Sequence, residues 1–341
     1  MIFKLAKPLI FLSILLLFCF VGSLCLGSAK IPISDVISIL FGGEVSVKSW
    51  SNIILDYRLP KAVTSILVGS SLGISGLLMQ TLFKNPLAGP FVLGISSGAS
   101  LGVAFIILGS GIFGATVSGL LISKWGMIIA SSLGSFLVLM AVIVVSSQVR
   151  DSMAILIIGL MFGSITSALV SVLSYFSSAE QLQQFVFWGF GSINNLSWSE
   201  VLVFFIVYIC GLLLCVLVLK HLNSLLLGDD YAKSLGVNIK QNRLLIILAT
   251  SLLAGAATAF AGPIAFIGLA IPHLARQFFK TTNHQILLPA IFLIGAIVML
   301  ICDAVAQLPF SEMMLPLNAV TSLVGAPVVI WLLVKQRKMI F

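Results

Sequence analysis

Long apolar runs separated by short polar stretches dominate the chain. Five of them approach or reach the roughly 20 residues that a helix needs to cross the hydrocarbon core of a bilayer. They lie at 9–26, 127–145, 201–219, 244–261 and 287–301. None alternates polar and apolar residues for long, as the strands of a membrane barrel would. Because only helices satisfy every backbone group in lipid without such alternation, the pattern predicts an all-α polytopic membrane protein.

The gaps between these runs hold further candidate spans, so we predict about ten helices in one transmembrane domain covering 1–341. Some of these helices are short or interrupted. The predicted helices are 8–27, 60–82, 91–109, 125–147, 153–175, 200–219, 243–261, 263–272, 286–303 and 317–334.

Composition excludes an ordinary soluble protein. Hydrophobic residues make up 60% of the chain and charged residues 8%, whereas a soluble domain carries about 25% charged residues. Lipid must therefore solvate much of the surface. A net charge of +8 in a soluble chain would suggest nucleic acid, but here we expect no nucleic-acid partner.

Membrane orientation explains the excess of basic residues instead. With ten helices and a cytoplasmic N-terminus, the inner loops hold 13 of the 18 basic residues but only three of the 10 acidic residues. This is the bias that the positive-inside rule expects. We therefore predict a cytoplasmic (inner) membrane protein with both termini in the cytoplasm.

The N-terminal run also has features of a signal peptide, because Lys4 and Lys7 precede it and Gly27-Ser28-Ala29 resembles a cleavage site. A signal peptide has a hydrophobic region of about 7–15 residues. The run from Pro8 to Leu26 is longer, which favours an uncleaved first helix.

Residues that could carry redox, metal or catalytic chemistry are scattered. The five cysteines lie in apolar segments without a C-x-x-C spacing, and His221, His273 and His284 follow no metal-binding pattern. We expect no catalytic residue, no metal site and no cofactor bound by this chain.

Two segments rich in glycine and proline interrupt the helical pattern. Asn85 and Pro86 begin a turn that ends in a Gly/Ser-rich stretch containing Gly94, Ser96, Ser97 and Gly98. Such residues either loosen a helix or let backbones pack closely. In the second segment, Gly262-Pro263 and Pro272 bound about ten residues, too few for a full span.

The two segments share a short motif. Ala88-Gly89-Pro90-Phe91 and Ala261-Gly262-Pro263-Ile264 lie 173 residues apart (263 − 90), about half the chain. Interrupted segments in both halves of a transporter indicate its pathway. We therefore treat both as pathway candidates and as a hint of an internal repeat.

The inner loop at 220–243 is the longest hydrophilic stretch on the predicted cytoplasmic side. Within it, 225–237 reads as two short helices that break at Gly228 and end at Gly236, with Asp229 and Asp230 at a helix N-terminus. Its apolar residues would either pack on the chain's own helices or receive a cytosolic partner. They are Leu225, Leu226, Leu227, Ala232 and Leu235.

Several long strings follow one another in order along the chain. They are YRLPK at 57–61, GLLMQTLFKNPLA at 76–88, LGISSGA at 93–99, LG with LGV at 227–237, GPIAFIGL at 262–269, IPHLAR at 271–276 and GAP at 325–327. These strings resemble those of permease subunits in iron-chelate and cobalamin importers of the ATP-binding-cassette class, the type II importers. The resemblance covers about 55–335 and is specific, because the strings are long.

The resemblance implies ten helices per subunit and a dimer of permeases, most simply a homodimer. Two cytosolic ATPase subunits, which hold the ATP and Mg²⁺, would dock on 225–237, and a substrate-binding protein would dock on the outer face. The chain itself has no G-x-x-x-x-G-K-[ST] motif with which to cradle ATP phosphates.

By the same resemblance, Arg58 and Lys61 at the outer mouth would hold acidic residues of the binding protein. The alternative is interface anchoring by their long side chains. Relatives often carry a further Arg where this chain has Gln307, so a third such contact is in doubt. Asp303 is either a functional intramembrane charge or a residue that caps a helix end.

The leading interpretation is the permease subunit of an ATP-driven importer of an iron chelate, either a siderophore complex or haem. Cobalamin import by the same family is the alternative. A proton- or sodium-driven transporter would need mid-span ionisable residues, which are lacking, and an intramembrane enzyme would have only His273 as a candidate base.

Overall fold

The structure is a computed structural model that describes residues 2–27, 29–43, 47–109, 122–146, 149, 152–194, 196–308 and 314–335. Within these residues all regular secondary structure is helical. The helices are α1 (Ile2–Cys25), α2 (Ile33–Leu40), α3 (Lys48–Asn52), α4 (Leu59–Leu82), α5 (Ile95–Ile107), α6 (Lys124–Ser146), α7 (Ser152–Tyr175), α8 (Ala179–Gly189), α9 (Trp198–Leu226), α10 (Asp229–Ser234), α11 (Ile239–Ala261), α12 (Ile267–Phe279), α13 (His284–Ala306) and α14 (Leu317–Lys335).

Seven helical stretches of the described chain are long and apolar enough to cross a membrane. Two shorter apolar helices, Ile95–Ile107 and Leu317–Trp331, accompany them. The exposed residues of α7 include Ile157, Ile165, Leu169 and Val172, as expected for a helix that faces lipid. The prediction of a polytopic all-α membrane protein is confirmed.

Two predicted elements are wrong. The helix predicted at 263–272 has the wrong bounds, because the chain is non-helical from Gly262 to Phe266 and α12 runs from Ile267 to Phe279. Pro272 lies inside α12 and does not break it. A proline removes only one helical hydrogen bond, and the packing of a buried membrane helix tolerates that loss.

The second wrong element is a separate short helix before Gly228. Instead, α9 continues without interruption to Leu226. The spacing of apolar residues is the same in a membrane span and in the helical turn beyond it, so the sequence shows no boundary there.

Contacts between Cα atoms divide the chain into two compact units, each discontinuous in sequence. The first comprises Met1–Ile74, Ser192–Ile206 and Ala265–Phe341. In it α1 packs against α13, and α12 packs against α13 and α14. Its apolar cluster contains Leu24, Ile31, Val36, Ile39, Ile54, Ala62 and Leu300.

The second unit comprises Ser75–Gly191 and Val207–Ile264. Here α5 packs against α6, α7, α8 and α11. The contact with α6 is close, because a Cβ atom added at Gly98 would lie 2.5 Å from the Gly134 carbonyl oxygen. Gly98 thus belongs to a small-residue packing face, one of the two alternatives that the sequence leaves open.

Both Ala-Gly-Pro segments lead through a residue in the left-handed region into a 13-residue helix. After Gly89 comes a 3₁₀ helix, Pro90–Leu93, then Gly94 in the left-handed region (φ 72°) and the 13-residue α5. After Pro263 comes a short non-helical stretch, then Phe266 in the left-handed region (φ 64°) and the 13-residue α12. The internal repeat stays a prediction.

We predict that Gly98→Ala lowers the melting temperature in detergent, by the equivalent of about 1–3 kcal/mol of overpacking. The control is Gly22→Ala in α1, where an added Cβ meets nothing within 4 Å, and where alanine should leave stability unchanged or raise it. Equal melting temperatures for Gly98→Ala and the unmodified chain would contradict the packing assignment.

Candidate functional site

The segment 225–237, which we call the coupling element, is built around two glycines with positive φ. Gly228 has φ 116° and separates the end of α9 from α10. At the other end Gly236 has φ 83°. The Gly236 amide donates to the Lys233 carbonyl (2.9 Å) and the Val237 amide to the Ala232 carbonyl (3.0 Å), a Schellman cap. The predicted break and the predicted cap are both observed.

The apolar residues of the coupling element divide into two faces. Leu225 and Ala232 are buried within the protein. Leu227 (67% exposed), Leu235 (58%) and Tyr231 (51%) point outward. Packing on the chain's own helices thus applies to Leu225 and Ala232, and whether the exposed residues receive a partner stays a prediction. Tyr231 was not predicted.

An ion triad holds the coupling element in place. One Asp229 oxygen accepts from the Lys84 ammonium at 2.8 Å, and the other accepts from the Arg243 guanidinium at 2.7 Å. Asp229 does begin α10 as predicted, but its partners lie in the turn after α4 and in α11. Sequence reasoning missed Lys84 and Arg243 as site residues, since nothing short of the fold brings positions 84 and 243 to 229.

The environment of Asp229 keeps it ionised at neutral pH. Partial burial raises the pKa of its carboxyl, but the hydrogen bonds and charges of Lys84 and Arg243 outweigh burial and hold the pKa below its ordinary value. The stabilisation that Asp229 gains from Lys84 and Arg243 is therefore fully present at pH values above the ordinary carboxyl pKa of about 4. It is lost only as the pH falls through the lowered pKa of the folded protein.

The turn after α4 is tightly bonded. Lys84 has φ 46°, its amide donates to the Thr81 carbonyl (3.3 Å), and the Asn85 amide donates to the Gln80 carbonyl (3.1 Å). The Asn85 side chain then accepts from the Leu87 amide at 2.9 Å. Asn85 and Pro86 thus form a defined turn, whereas Ser96, Ser97 and Gly98 lie within the regular helix α5.

In the non-helical segment before α12, a backbone amide is bonded by a residue that the sequence did not single out. The Ala265 amide donates to the Asn318 side-chain oxygen at 3.0 Å. A Cβ atom at Gly262 would lie 2.9 Å from the Trp188 carbonyl oxygen, and Gly262 has φ 75°, so glycine is required on both grounds. It stays a prediction that the pathway candidates line a pathway. They are Asn85, Pro86, Gly94, Ser96, Ser97, Gly98, Gly262, Pro263 and Pro272.

Arg58 is buried and bonded inside the protein. It ends a π-helical stretch, Ile53–Arg58. Its guanidinium donates to the carbonyl oxygens of Leu24 (2.7 Å), Cys25 (3.1 Å) and Ala29 (2.6 Å). It therefore supplies the donors that the last turn of α1 lacks, and a docking partner would have to compete with these three bonds.

Lys61 is also engaged. Its ammonium lies 3.0 Å from an Asp303 oxygen, with side-chain exposures of 12% and 5%. The other Asp303 oxygen accepts from the Gln307 amide at 3.0 Å. Asp303 is thus a buried, fully partnered charge that joins α4 to α13. Docking of a binding protein at Arg58 and Lys61 remains a prediction that these contacts do not support.

Among the described residues, no group of three or more His, Cys, Asp and Glu side chains could hold a metal ion. His273 is buried in α12.

We predict that Arg58→Gln destabilises the protein by about 1–3 kcal/mol or more, because it leaves buried carbonyl groups without donors. The control is Lys48→Gln, which removes an exposed cation from the preceding helix α3. Thermal unfolding in detergent would measure both variants. Equal melting temperatures for the two would contradict the capping role.

For the Lys61–Asp303 pair we predict strong non-additivity. Lys61→Met alone leaves a buried carboxylate without its counter-charge and should cost about 3–5 kcal/mol. Adding Asp303→Asn should restore part of that loss, since the asparagine oxygen still accepts from Gln307. Additive losses in thermal unfolding would show that the two charges do not interact.

Comparison with known proteins agrees with this architecture. Residues 15–335 match the FecCD transport family. The chain is 35% identical to the hemin transport system permease HmuU of Yersinia pestis, over 96% of this chain and 95% of the relative. It is also 35% identical to the vitamin B12 import system permease BtuC of Salmonella typhi, over 97% and 95%.

A solved structure gives the same result in three dimensions. It is described as an inward-facing conformation of a metal-chelate type ABC transporter, and it superposes with a TM-score of 0.85 at 31% identity, covering 97% of this chain and 99% of that one. With a family match over nearly the whole length and relatives at this identity, the chain belongs to the FecCD transport family.

Proposed function

We propose that this chain is the membrane-spanning permease of an ATP-driven importer that carries an iron chelate, either haem or a ferric siderophore, across the cytoplasmic membrane. Both termini would lie in the cytoplasm. A cytosolic ATPase pair would hold ATP and Mg²⁺, a substrate-binding protein would deliver the substrate, and a second copy of the chain would complete the pathway.

The observation that carries this proposal is the outward face of the coupling element. Leu227, Tyr231 and Leu235 are more than half exposed, and they stand on or beside a short helix between two glycine breaks, on the side that the charge bias makes cytoplasmic. Lipid does not cover that side, so these apolar groups are suited to a protein partner. The chain has no phosphate-binding loop, and its energy must come from such a partner.

The substrate class rests on relatives of equal identity. The haem permease supports an iron chelate, and the vitamin B12 permease supports cobalamin as the alternative. Uptake of radiolabelled haem, a ferric siderophore and cobalamin into vesicles containing the complete transporter would decide between them. Transport of cobalamin alone would overturn the iron-chelate proposal.

We predict that Leu227→Asp combined with Leu235→Asp abolishes ATPase association and uptake, because it places charge in an apolar contact. The matched control is Leu315→Asp, which changes an exposed leucine on the opposite predicted side and should leave ATPase association intact. Co-purification and uptake measure both. If the double variant still assembles and transports, the coupling element is not the ATPase site.

A further inference from the structure

We propose that Lys84 and Asp229 are positioning residues that link movement of the coupling element to the loop before α5, and so couple ATP use to transport. This inference rests on the proposed function, because it concerns how the energy of ATP hydrolysis would reach the permease. The linking feature is the ion triad of Lys84, Asp229 and Arg243.

The triad lies between two loops. Asp229 is the first residue of α10 and so belongs to the part of the coupling element that presents Tyr231 and Leu235. Lys84 belongs to the turn after α4. The Lys84–Asp229 contact at 2.8 Å joins residues 145 positions apart, so it is a tertiary link.

The backbone of Lys84 carries a conformational cost. Lys84 occupies the position after α4 at which a left-handed residue, usually glycine, closes a Schellman cap. Its φ of 46° makes it one of four non-glycine residues with positive φ in the described chain. A lysine at a position where glycine is favoured carries a strain cost, and from this position the Lys84 ammonium reaches Asp229.

The segment between Lys84 and α5 is short and stiff. Asn85 closes its turn by accepting from the Leu87 amide. Gly89 extends the chain into the 3₁₀ helix Pro90–Leu93, and Gly94 leads directly into α5. A displacement of Lys84 therefore reaches α5 through a bonded connection with two prolines.

Exposed ion pairs contribute little to stability, and Lys84 and Asp229 are 41% and 29% exposed. The effect of this ion pair is to fix geometry, because two charge-assisted bonds hold the Asp229 carboxylate between two elements. The neighbouring pair Lys233–Asp230 lies wholly inside α10 and is far more exposed. It offers a chemically identical contact that links no second element.

The test compares Lys84→Gly with Lys280→Gly in the complete transporter with its ATPase and binding protein. Both lysines end a helix in the left-handed region, at φ 46° and 48°, so both variants relieve the same backbone cost. Lys84→Gly should keep or raise the melting temperature, keep ATPase association and hydrolysis, and lower substrate transported per ATP by about tenfold. Lys280→Gly should transport like the unmodified protein.

A second comparison removes the other partner. Asp229→Asn should lower transport per ATP as Lys84→Gly does, and Lys84→Arg should retain coupling because it preserves the ion pair. Unchanged transport per ATP in Lys84→Gly would overturn the inference. So would loss of ATPase association in that variant, since Lys84 would then only shape the docking surface.

These outcomes are separable from failure of the proposed function. If the unmodified chain neither binds an ATPase nor transports substrate with it, the proposed function fails. If the unmodified transporter works and Lys84→Gly works equally well, only the inference about the link fails.

Discussion

The structure depends on one constraint: inside a bilayer, every backbone amide and carbonyl group needs a partner within the protein. A continuous helix meets this requirement by itself, whereas each break needs a specific solution. At the end of α1, the Arg58 guanidinium donates to three carbonyl oxygens. At the break before α12, the Asn318 side chain accepts from the Ala265 amide. These irregular segments are therefore held by specific side-chain bonds that a regular helix does not need.

The same constraint explains how polar groups are distributed. Lys61 and Asp303 pair with each other, and the Gln307 amide donates to the second Asp303 oxygen. Burying these charges together therefore costs less free energy than burying either one alone. By contrast, Lys84 and Asp229 lie outside the candidate spans, Arg243 lies near the start of α11, and the triad is partly exposed. The buried pair thus holds helices together, while the exposed triad connects a surface element to the loops beside it.

The proposed function depends on the structure of the coupling element. Two glycine breaks isolate a six-residue helix, α10, from the long spans on either side. Leu225 and Ala232 anchor it from within, and Leu227, Tyr231 and Leu235 remain outside. An element anchored on one face and exposed on the other can receive force from a partner and pass it to the permease, as the proposed function requires.

The sequence alone determined the class of fold, most helix positions, the break at Gly228 and the cap at Gly236, because these depend on local hydrophobicity and on backbone freedom. It did not show that α9 extends to Leu226 or that Pro272 lies inside α12, because packing decides where a helix ends in those places. Only the tertiary structure decided which charges meet. Lys84 is far from Asp229 and Arg243 in sequence, as Arg58 is from the end of α1. Which residue a charge pairs with depends on distance in space, which no local pattern encodes.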